Sequence, residues 1–464
     1  KVSDFAANHP TLDRICRPLG MYHVYTSVWF SAIYLLLFIS LIGCIVPRIV
    51  SHAKALRRQP PRVPARLDRL AAHASMTTSA SAAEVSQRAQ QWLKSHRYRF
   101  VVDDDGSLRA EAGRHRETGN LVFHIFLVLV LVGVGWNTLW GFKGTSVVVE
   151  GQGFSNSITQ YDEFKAGAMV DTDNLTPFSM KLRKFVVSFE TGTVQRGAAR
   201  SFDATVDLTM GGKTQTRDLQ VNHPLRIGST KVHLLGHGYA ADVVVRDGDG
   251  KVAYSGPVVF LPQDANFKSV GVIKAPDARP DRLAFQGFFL PTGAITAGGP
   301  TSLFPDALNP QLYLTAWYGK PTVETGVPLN IYTLDTTGLT QVTNGKDKAR
   351  FVLSPGQRYK LPDGKGSIQF NGWQRWAKIQ VSQNPGLPLT FLSVVLSVAG
   401  LCVSLFSRSR RVWVRTIPGD DGLRVEIGGL DRSDSRSGAV DDVNSLLAAL
   451  HGDSMSGDVE EEHS

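Results

Sequence analysis

The sequence predicts an integral membrane protein with three apolar α-helices and one large, mainly β, extracytoplasmic domain. Three long runs contain no Asp, Glu, Lys or Arg, and each has an apolar core of about 20 residues, enough to cross a hydrocarbon layer of roughly 30 Å. Between the second and third runs, short β-branched stretches alternate with Gly, Asp and Pro, which is typical of sheets. The 464 residues include 50 Lys and Arg against 41 Asp and Glu. Basic residues beside apolar runs report membrane topology, so we expect no nucleic-acid partner.

Helices are predicted over residues 28–46, 120–140 and 387–407. Fourteen Lys and Arg residues occupy 48–117, and four arginines follow the third helix between 408 and 415. The positive-inside rule therefore predicts a cytoplasmic loop over 47–119 and a cytoplasmic tail over 408–464. The N-terminal segment 1–27 and the domain 141–386 are then extracytoplasmic. Trp29, Trp136 and Trp140 stand near the predicted outer ends, as interfacial anchors do.

The loop and the tail contain signals of local structure. A helix is predicted over residues 82–95, and a hairpin is predicted to turn at Asp105 and Gly106. Thr118 or Asn120 is the predicted cap of the second apolar helix. In the tail, GLRVEIGG predicts a short strand, and the acidic end DVEEEHS predicts disorder.

The extracytoplasmic domain is predicted to form sandwich-like sheets. Its predicted strands are TSVVVEG, KFVVSFE, ATVDLTM, TKVHLLG, ADVVVRD, LNIYTLD and KGSIQFNGW. Hairpin turns are predicted at Gly211, at 247–250 and at 362–364. The Pro- and Gly-rich stretch 266–310 is expected to be a long loop.

The cysteines exclude several kinds of chemistry. Cys16, Cys44 and Cys402 are far apart in sequence, and no CxxC or CxxCH occurs. A thiol–disulfide exchanger, a zinc-thiolate protein and a c-type cytochrome are therefore not expected. We interpret Cys44 and Cys402 as small packing residues. The chain also lacks a phosphate-binding loop, GxSxG and HExxH.

His124 is the only ionisable side chain within the three apolar cores. An ionisable group at this depth is costly without a partner and is a functional candidate by default. One interpretation is an interhelical hydrogen bond to a hydroxyl such as Ser40. The other is an axial ligand to haem iron, which commonly takes histidine. A single histidine leaves the second axial position open, so this interpretation implies a partner subunit.

Other histidines are weaker candidates. His233 and His237 are four residues apart, which suits metal binding on a helix, but the flanking sequence is β-like and Gly236 interrupts the pattern. His223 is interpreted as a turn or surface residue.

Four segments together resemble the ResB (CcsB) family of cytochrome c biogenesis proteins. They are LGMYHVYTSVWFSAIYLLLFISLIGCIVPR, then GNLVFHIFLVLVLVGV with GFKGTSVVVEGQGFSN, then VNHPLRIGSTKVHLLGHGYA, and finally NPGLPLTFLSVVLSVAGLCVSLFSRSRRVWVR. The resemblance covers nearly the whole chain and lies in the order and spacing of these segments. Members of the family have four spans, so it implies a further span ahead of Lys1.

The resemblance implies a system II cytochrome c synthase, with this chain as a membrane subunit. Its implied partner is ResC (CcsA), which handles haem, with haem b shared between the two subunits. The complex would carry haem outward to the CxxCH thiols of exported apocytochrome c, alongside a thiol-reducing thioredoxin-like protein. The family's haem-ligating histidine in the third span corresponds to His124.

Two other classes of function stay open at this stage. One is a membrane-anchored extracytoplasmic sensor or anti-sigma-like signalling protein, although no output domain is recognisable in 48–117 or in the tail. The other is an enzyme acting alone outside the cell, for which the sequence shows no nucleophile–base set. Of the three hypotheses, haem handling alone predicts a Soret band.

Overall fold

A computed structural model describes residues 2–321, 332–345, 347–420, 422–431 and 437–451. The chain divides into two compact units. The helical unit comprises residues 1–135 and 386–464, and the β unit comprises residues 136–385.

The helices are α1 Val2–Asn8, α2 Pro10–Cys16, α3 Val28–Arg57, α4 Ala82–Ser95, α5 His115–Trp140, α6 Leu387–Phe406 and α7 Ser437–His451. The first strands are β1 Ala72–Thr78, β2 Arg99–Val102, β3 Leu108–Ala112, β4 Phe142–Val149, β5 Gly153–Ser155, β6 Glu163–Ala166, β7 Ser179–Phe189, β8 Ala199–Met210, β9 Lys213–Gln220, β10 Leu225–Ile227, β11 Thr230–Arg246 and β12 Val252–Pro262. They continue with β13 Ser269–Ala275, β14 Arg282–Leu290, β15 Gly293–Thr296, β16 Gly299–Ser302, β17 Gln311–Gly319, β18 Thr340–Gln341, β19 Thr343–Asn344, β20 Asp347–Lys348, β21 Arg350–Leu353, β22 Arg358–Lys360, β23 Ser367–Gln383, β24 Arg410–Gly419 and β25 Gly422–Asp431.

Three helices, α3, α5 and α6, are long and apolar enough to cross a membrane. They coincide with the three charge-free runs, although α3 continues through Pro47 to Arg57. The predicted cap at Thr118 or Asn120 was wrong, because α5 already begins at His115. The chain turns at Gly113, whose φ of 74° lies in the left-handed region, directly after β3. The polar residues that follow Gly113 therefore form the first helical turn of α5.

Helices α5 and α6 pack closely through small residues. Gly119 and Gly133 of α5 are buried, as are Ser393, Ser397 and Gly400 of α6. A Cβ at Gly400 would come within 2.8 Å of the Phe123 backbone nitrogen and 2.9 Å of the Gly119 carbonyl oxygen. Small residues let helix backbones approach in this way, so dispersion contacts can hold apolar helices together.

The loop and the tail form one structure, although the sequence analysis treated them as separate segments. Strands from both segments build an antiparallel sheet in the order β1-β25-β24-β3-β2. Helices α4 and α7 contribute Trp92, Leu93, Val443 and Leu446 to its buried core. Burial of this apolar surface is the main stabilising term, and it requires both segments.

Polar contacts fasten the tail to the loop. Asp442 of α7 accepts hydrogen bonds from the hydroxyl of Tyr98 at 2.6 Å and from Arg410 Nη1 at 2.8 Å. Trp92 Nε1 of α4 donates to Ser445 Oγ of α7 at 3.1 Å. Burial and the neighbouring Asp442 carboxylate raise the pKa of Tyr98, so the phenol stays protonated and donates.

Several local predictions for the helical unit are confirmed. Helix α4 covers residues 82–95. It begins with a capping box, in which Ser81 Oγ accepts from the Glu84 amide at 3.3 Å and Glu84 accepts from the Ser81 amide at 2.8 Å. Strands β2 and β3 pair around the turn at Asp105 and Gly106, and the predicted tail strand is part of β25. The predicted disordered end lies outside the described residues.

Among its described residues, the β unit contains a twelve-stranded sheet, a four-stranded sheet and two two-stranded sheets, β15-β16 and β19-β20. The large sheet follows the order β18-β17-β14-β13-β12-β11-β23-β4-β6, with β10, β21 and β22 paired at its sides. The four-stranded sheet has the order β5-β7-β8-β9. It packs on β4, β11 and β23 around buried residues such as Phe154, Leu182, Val206 and Ile379. A second core lies among β11–β14, β17 and β23 and includes Tyr239, Phe285 and Phe370.

The predictions for the β unit are mostly confirmed. Six of the seven predicted strands fall on β4, β7, β8, β11 and β23, and β11 includes two of them. LNIYTLD lies partly outside the described residues. The expected long loop over 266–310 was wrong, because it contains β13, β14, β15 and β16. Its Pro and Gly residues include those of turns, such as Pro276, Pro280 and Pro291, while the apolar stretches between them are buried strands.

Candidate functional site

The imidazole of His124 is held by its own helix. Its Nδ1 lies 2.8 Å from the carbonyl oxygen of Asn120, one turn earlier in α5. A carbonyl oxygen can only accept, so Nδ1 carries a proton, and in this tautomer of neutral imidazole the lone pair is on Nε2. The ring therefore bonds to Asn120, and not to the hydroxyl of Ser40 that the sequence analysis considered. Nε2 has no hydrogen-bond partner among the described residues.

The backbone beside His124 is fixed by α6. The amide nitrogen of Phe123 faces Gly400, and its carbonyl oxygen accepts a hydrogen bond from Ser397 Oγ at 3.3 Å. The phenyl ring of Phe123 meets the imidazole edge-to-face, with centroids 4.9 Å apart. The imidazole itself is half-buried, so it has a defined position and an open side.

Helix α3 contacts α5 near both of its ends. The hydroxyl of Tyr34 donates to the Leu131 carbonyl, and His52 Nε2 lies 3.0 Å from Thr118 Oγ1. Helix α5 thus contacts both α3 and α6, and His124 lies on this helix.

A cavity of about 420 Å³ lies at the end of these helices nearest His124. All three helices line it, through Arg48 of α3, Arg116, Glu117 and Asn120 of α5, and Ser404 of α6. The backbone carbonyl of Asn120 orients the imidazole, while its side chain lines this cavity. The cavity therefore begins one helical turn from His124.

One imidazole with a lone pair suits haem iron, which takes a single axial ligand from each side. Among the described residues, no group of three or more His, Cys, Asp or Glu side chains is placed to bind a metal ion. Through Nε2, His124 could hold the iron of a haem from one side.

The other histidines are not brought together. A β-bulge between Leu234 and Gly236 shifts the register of β11, so His237 is buried while His233 is half-exposed. Phe267 stacks on His237 with centroids 4.6 Å apart. Burial, and secondarily Arg375, lowers the pKa of His237 to about 4, so this ring is neutral at physiological pH. His223 is an exposed turn residue, as predicted.

The free cysteines do not form a second site. Cys16 lies in α2, Cys44 in α3 and Cys402 in α6. Cys44 and Cys402 are exposed on their helices, so the interpretation of these two as packing residues was wrong for the described chain. Hydropathy alone does not tell which side of an apolar helix meets its neighbours.

The model of the ResB-like family matches residues 1–440. The chain belongs to the ResB-like family. ResB-like relatives include three proteins named cytochrome c biogenesis protein CcsB. The one from a Synechococcus species is 25% identical over 86% of this chain and 72% of its own length. The one from Trichormus variabilis is 23% identical over 90% and 76%, and the one from Microcystis aeruginosa is 21% identical over 89% and 77%. The ResB-like match includes the three apolar helices, His124 and all five strands of the sheet that the loop and tail build together.

Proposed function

We propose that this ResB-like chain is a membrane subunit in cytochrome c biogenesis that binds haem through His124. The observation that supports this most directly is the hydrogen bond from Nδ1 to the Asn120 carbonyl, which leaves Nε2 as an acceptor. Metal-ligating histidines usually donate their other ring N–H in this way, because the bond fixes the tautomer and orients the ring. The names of the relatives support the same process.

Haem bound at His124 needs a second axial ligand from a partner. The open side of the half-buried imidazole is where such a partner would approach. We propose that the partner is a haem-handling membrane protein of the ResC (CcsA) type and that haem b is shared between the two chains.

The proposed task is to help carry haem outward and attach it to the CxxCH thiols of exported apocytochrome c. In that attachment each thiol adds across a haem vinyl group: sulfur bonds one carbon, and hydrogen is transferred to the other. The thiols must be reduced beforehand. The β unit contains no cysteine, so we assign the reduction to a separate thiol-reducing, thioredoxin-like protein.

We further propose that α3, α5 and α6 cross the cell membrane, with the sheet of the helical unit in the cytoplasm and the β unit outside. The arginine-rich flanks support this orientation. A reporter that is active only outside the cytoplasm, inserted after Asp249 in the β11–β12 turn, should be active. The same reporter inserted after Asp104 in the β2–β3 turn should be inactive. The reverse pattern would refute the orientation.

Haem retention should depend on the partner. We expect the complex purified with its ResC-type partner to show a Soret band, and the same chain purified alone to retain less than about a tenth as much haem, because one axial ligand is missing. Absorption spectra at equal protein concentration test this. Equal haem in the chain without its partner would contradict the shared site.

The sensor hypothesis gains one observation. No output domain is recognisable from the sequence, yet β1–β3, β24 and β25 form a folded sheet with α4 and α7. A sensor requires no haem, however, so the Soret measurement distinguishes the two hypotheses. A complex without a Soret band would favour the sensor.

A further inference from the structure

The cavity near His124 is lined by two arginines that lack acidic partners. Arg48 and Arg116 both line it, and neither forms an ion pair within 4.0 Å among the described residues. Glu117, which is exposed as Arg48 is, lines the same cavity and pairs with neither arginine. In the neighbouring sheet, by contrast, Arg410 is paired with Asp442 at 2.8 Å.

Two unpaired guanidinium groups facing one cavity favour an anion with more than one oxygen. Guanidinium binds carboxylates through a planar, bidentate array of donors, and an anion placed between two like charges offsets their repulsion. The side-chain oxygen of Asn120 is buried without a donor. The protein's own groups therefore do not satisfy this amide, which can present either its oxygen or its NH₂ to a bound molecule.

The cavity and His124 are aligned along α5. Arg116, Asn120 and His124 are spaced four residues apart, so they lie on one face of the helix. Arg116 is two turns from His124, about 12 Å by helical rise, and its long side chain covers part of that distance. A flat ligand with its metal at His124 and its carboxylates toward Arg116 would match the order of these side chains along α5.

A second cavity adjoins the first on the side of the sheet. It shares Arg116 and Glu117 with the first cavity and adds Arg58, Arg114 and Arg411 to the lining. Arg114 pairs with Glu111 at 3.3 Å. The excess of basic residues gives this end of the helices a positive potential, which attracts anions toward the first cavity.

We infer that Arg48 and Arg116 bind the two propionate groups of the haem whose iron is bound by His124. This inference rests on the proposed function and adds the residues that hold the acidic edge of the ligand. It makes Arg48 and Arg116 binding residues, with Asn120 as the positioning residue that links the cavity to the imidazole.

The test compares two probes on the complex with its partner, purified without haem and kept in detergent. The probes are iron protoporphyrin IX and its dimethyl ester, which has the same iron and ring but no carboxylates. Titration monitored in the Soret region gives a dissociation constant for each probe. We expect the wild-type complex to bind the acid about tenfold more tightly than the ester, the effect of one or more charge-assisted hydrogen bonds at a partly exposed site.

The double variant Arg48→Gln, Arg116→Gln should bring the ratio of the two constants close to one, mainly by weakening binding of the acid. Arg48→Lys, Arg116→Lys should keep an intermediate ratio, because the charges remain but the bidentate geometry is lost. Arg57→Gln is the matched control. Arg57 is exposed at the same end of α3 but lines neither cavity. The ratio of the two dissociation constants should therefore stay at the wild-type value.

His124→Ala separates this inference from the proposed function. This variant should weaken binding of both probes by the same factor and leave the ratio of their dissociation constants unchanged. An unchanged ratio in the double Gln variant would overturn the propionate site while leaving haem ligation by His124 intact. Normal binding of both probes to His124→Ala, with a ratio that still depends on the arginines, would overturn ligation and keep the anion site. No Soret change with either probe in the wild-type complex would overturn both.

Discussion

His124→Ala is expected to deprive the complex of haem and to stop production of holo-cytochrome c. The variant removes the one imidazole within the charge-free runs of the three helices and, under the proposed function, one axial bond to iron. Changes to groups that merely support a metal ligand already cost about 10–100-fold in affinity or activity, so loss of the ligand itself should cost at least that much. The measurements are Soret absorbance per complex and the yield of covalently haem-stained cytochrome c.

Three further observations show whether the effect is due to ligation. His124→Asn keeps a polar side chain but is a poor iron ligand, so it should fail like alanine, and both variants should accumulate to normal levels. Added imidazole should restore part of the haem in His124→Ala by filling the vacated position. His115→Ala, which changes an exposed histidine in the first turn of the same helix, should have no effect. A His124→Ala strain with wild-type haem and cytochrome yield would remove this residue from the mechanism.

Gly400→Val is expected to disrupt assembly of the three apolar helices. Its Cβ would lie 2.8 Å from the backbone nitrogen of Phe123 and 2.9 Å from the carbonyl oxygen of Gly119, and backbone atoms cannot move aside as side chains can. The helices must separate, which breaks the Ser397–Phe123 hydrogen bond and costs about 1–3 kcal/mol or more by overpacking. Because Phe123 precedes His124, the imidazole also loses its fixed position.

We expect the Gly400→Val protein to accumulate at a level several-fold lower than the wild type and to unfold at a lower temperature in detergent. Gly43→Val is the matched control in α3, since a Cβ at Gly43 meets no atom within 4 Å. It should accumulate normally. Equal accumulation and equal melting temperatures for the two variants would show that the α5–α6 contact does not determine assembly.

Local properties of the chain were sufficient to predict much of the fold. The three apolar helices follow from hydropathy and length, which need no tertiary contact to be recognised. Helix α4 is specified by its own capping box. The turn at Gly211 and Gly212 is specified by residues that adopt positive φ, here 53° and 76°. His124 could be singled out as a candidate site, because an ionisable side chain in an apolar run is rare for energetic reasons.

Pairings between distant segments were beyond the sequence analysis. Strand β3 pairs with β24 across nearly three hundred residues, and no local pattern encodes which edge a short strand will join. The buried strands of 266–310 were mistaken for a loop because Pro and Gly are common both in long loops and in the short turns between strands.

The sequence by itself determined where the apolar helices lie, which flank of each is basic, and which histidine inside them is the candidate iron ligand. Only the tertiary structure decided that the imidazole donates to Asn120, that Gly119 and Gly400 bring α5 and α6 together, and that Arg48, Arg116 and Ser404 line one cavity. Hydropathy, charge and capping act within one or two helical turns and can be read along the chain. The faces that meet depend on the packing of side chains from remote segments, which is settled only when all of them are in place.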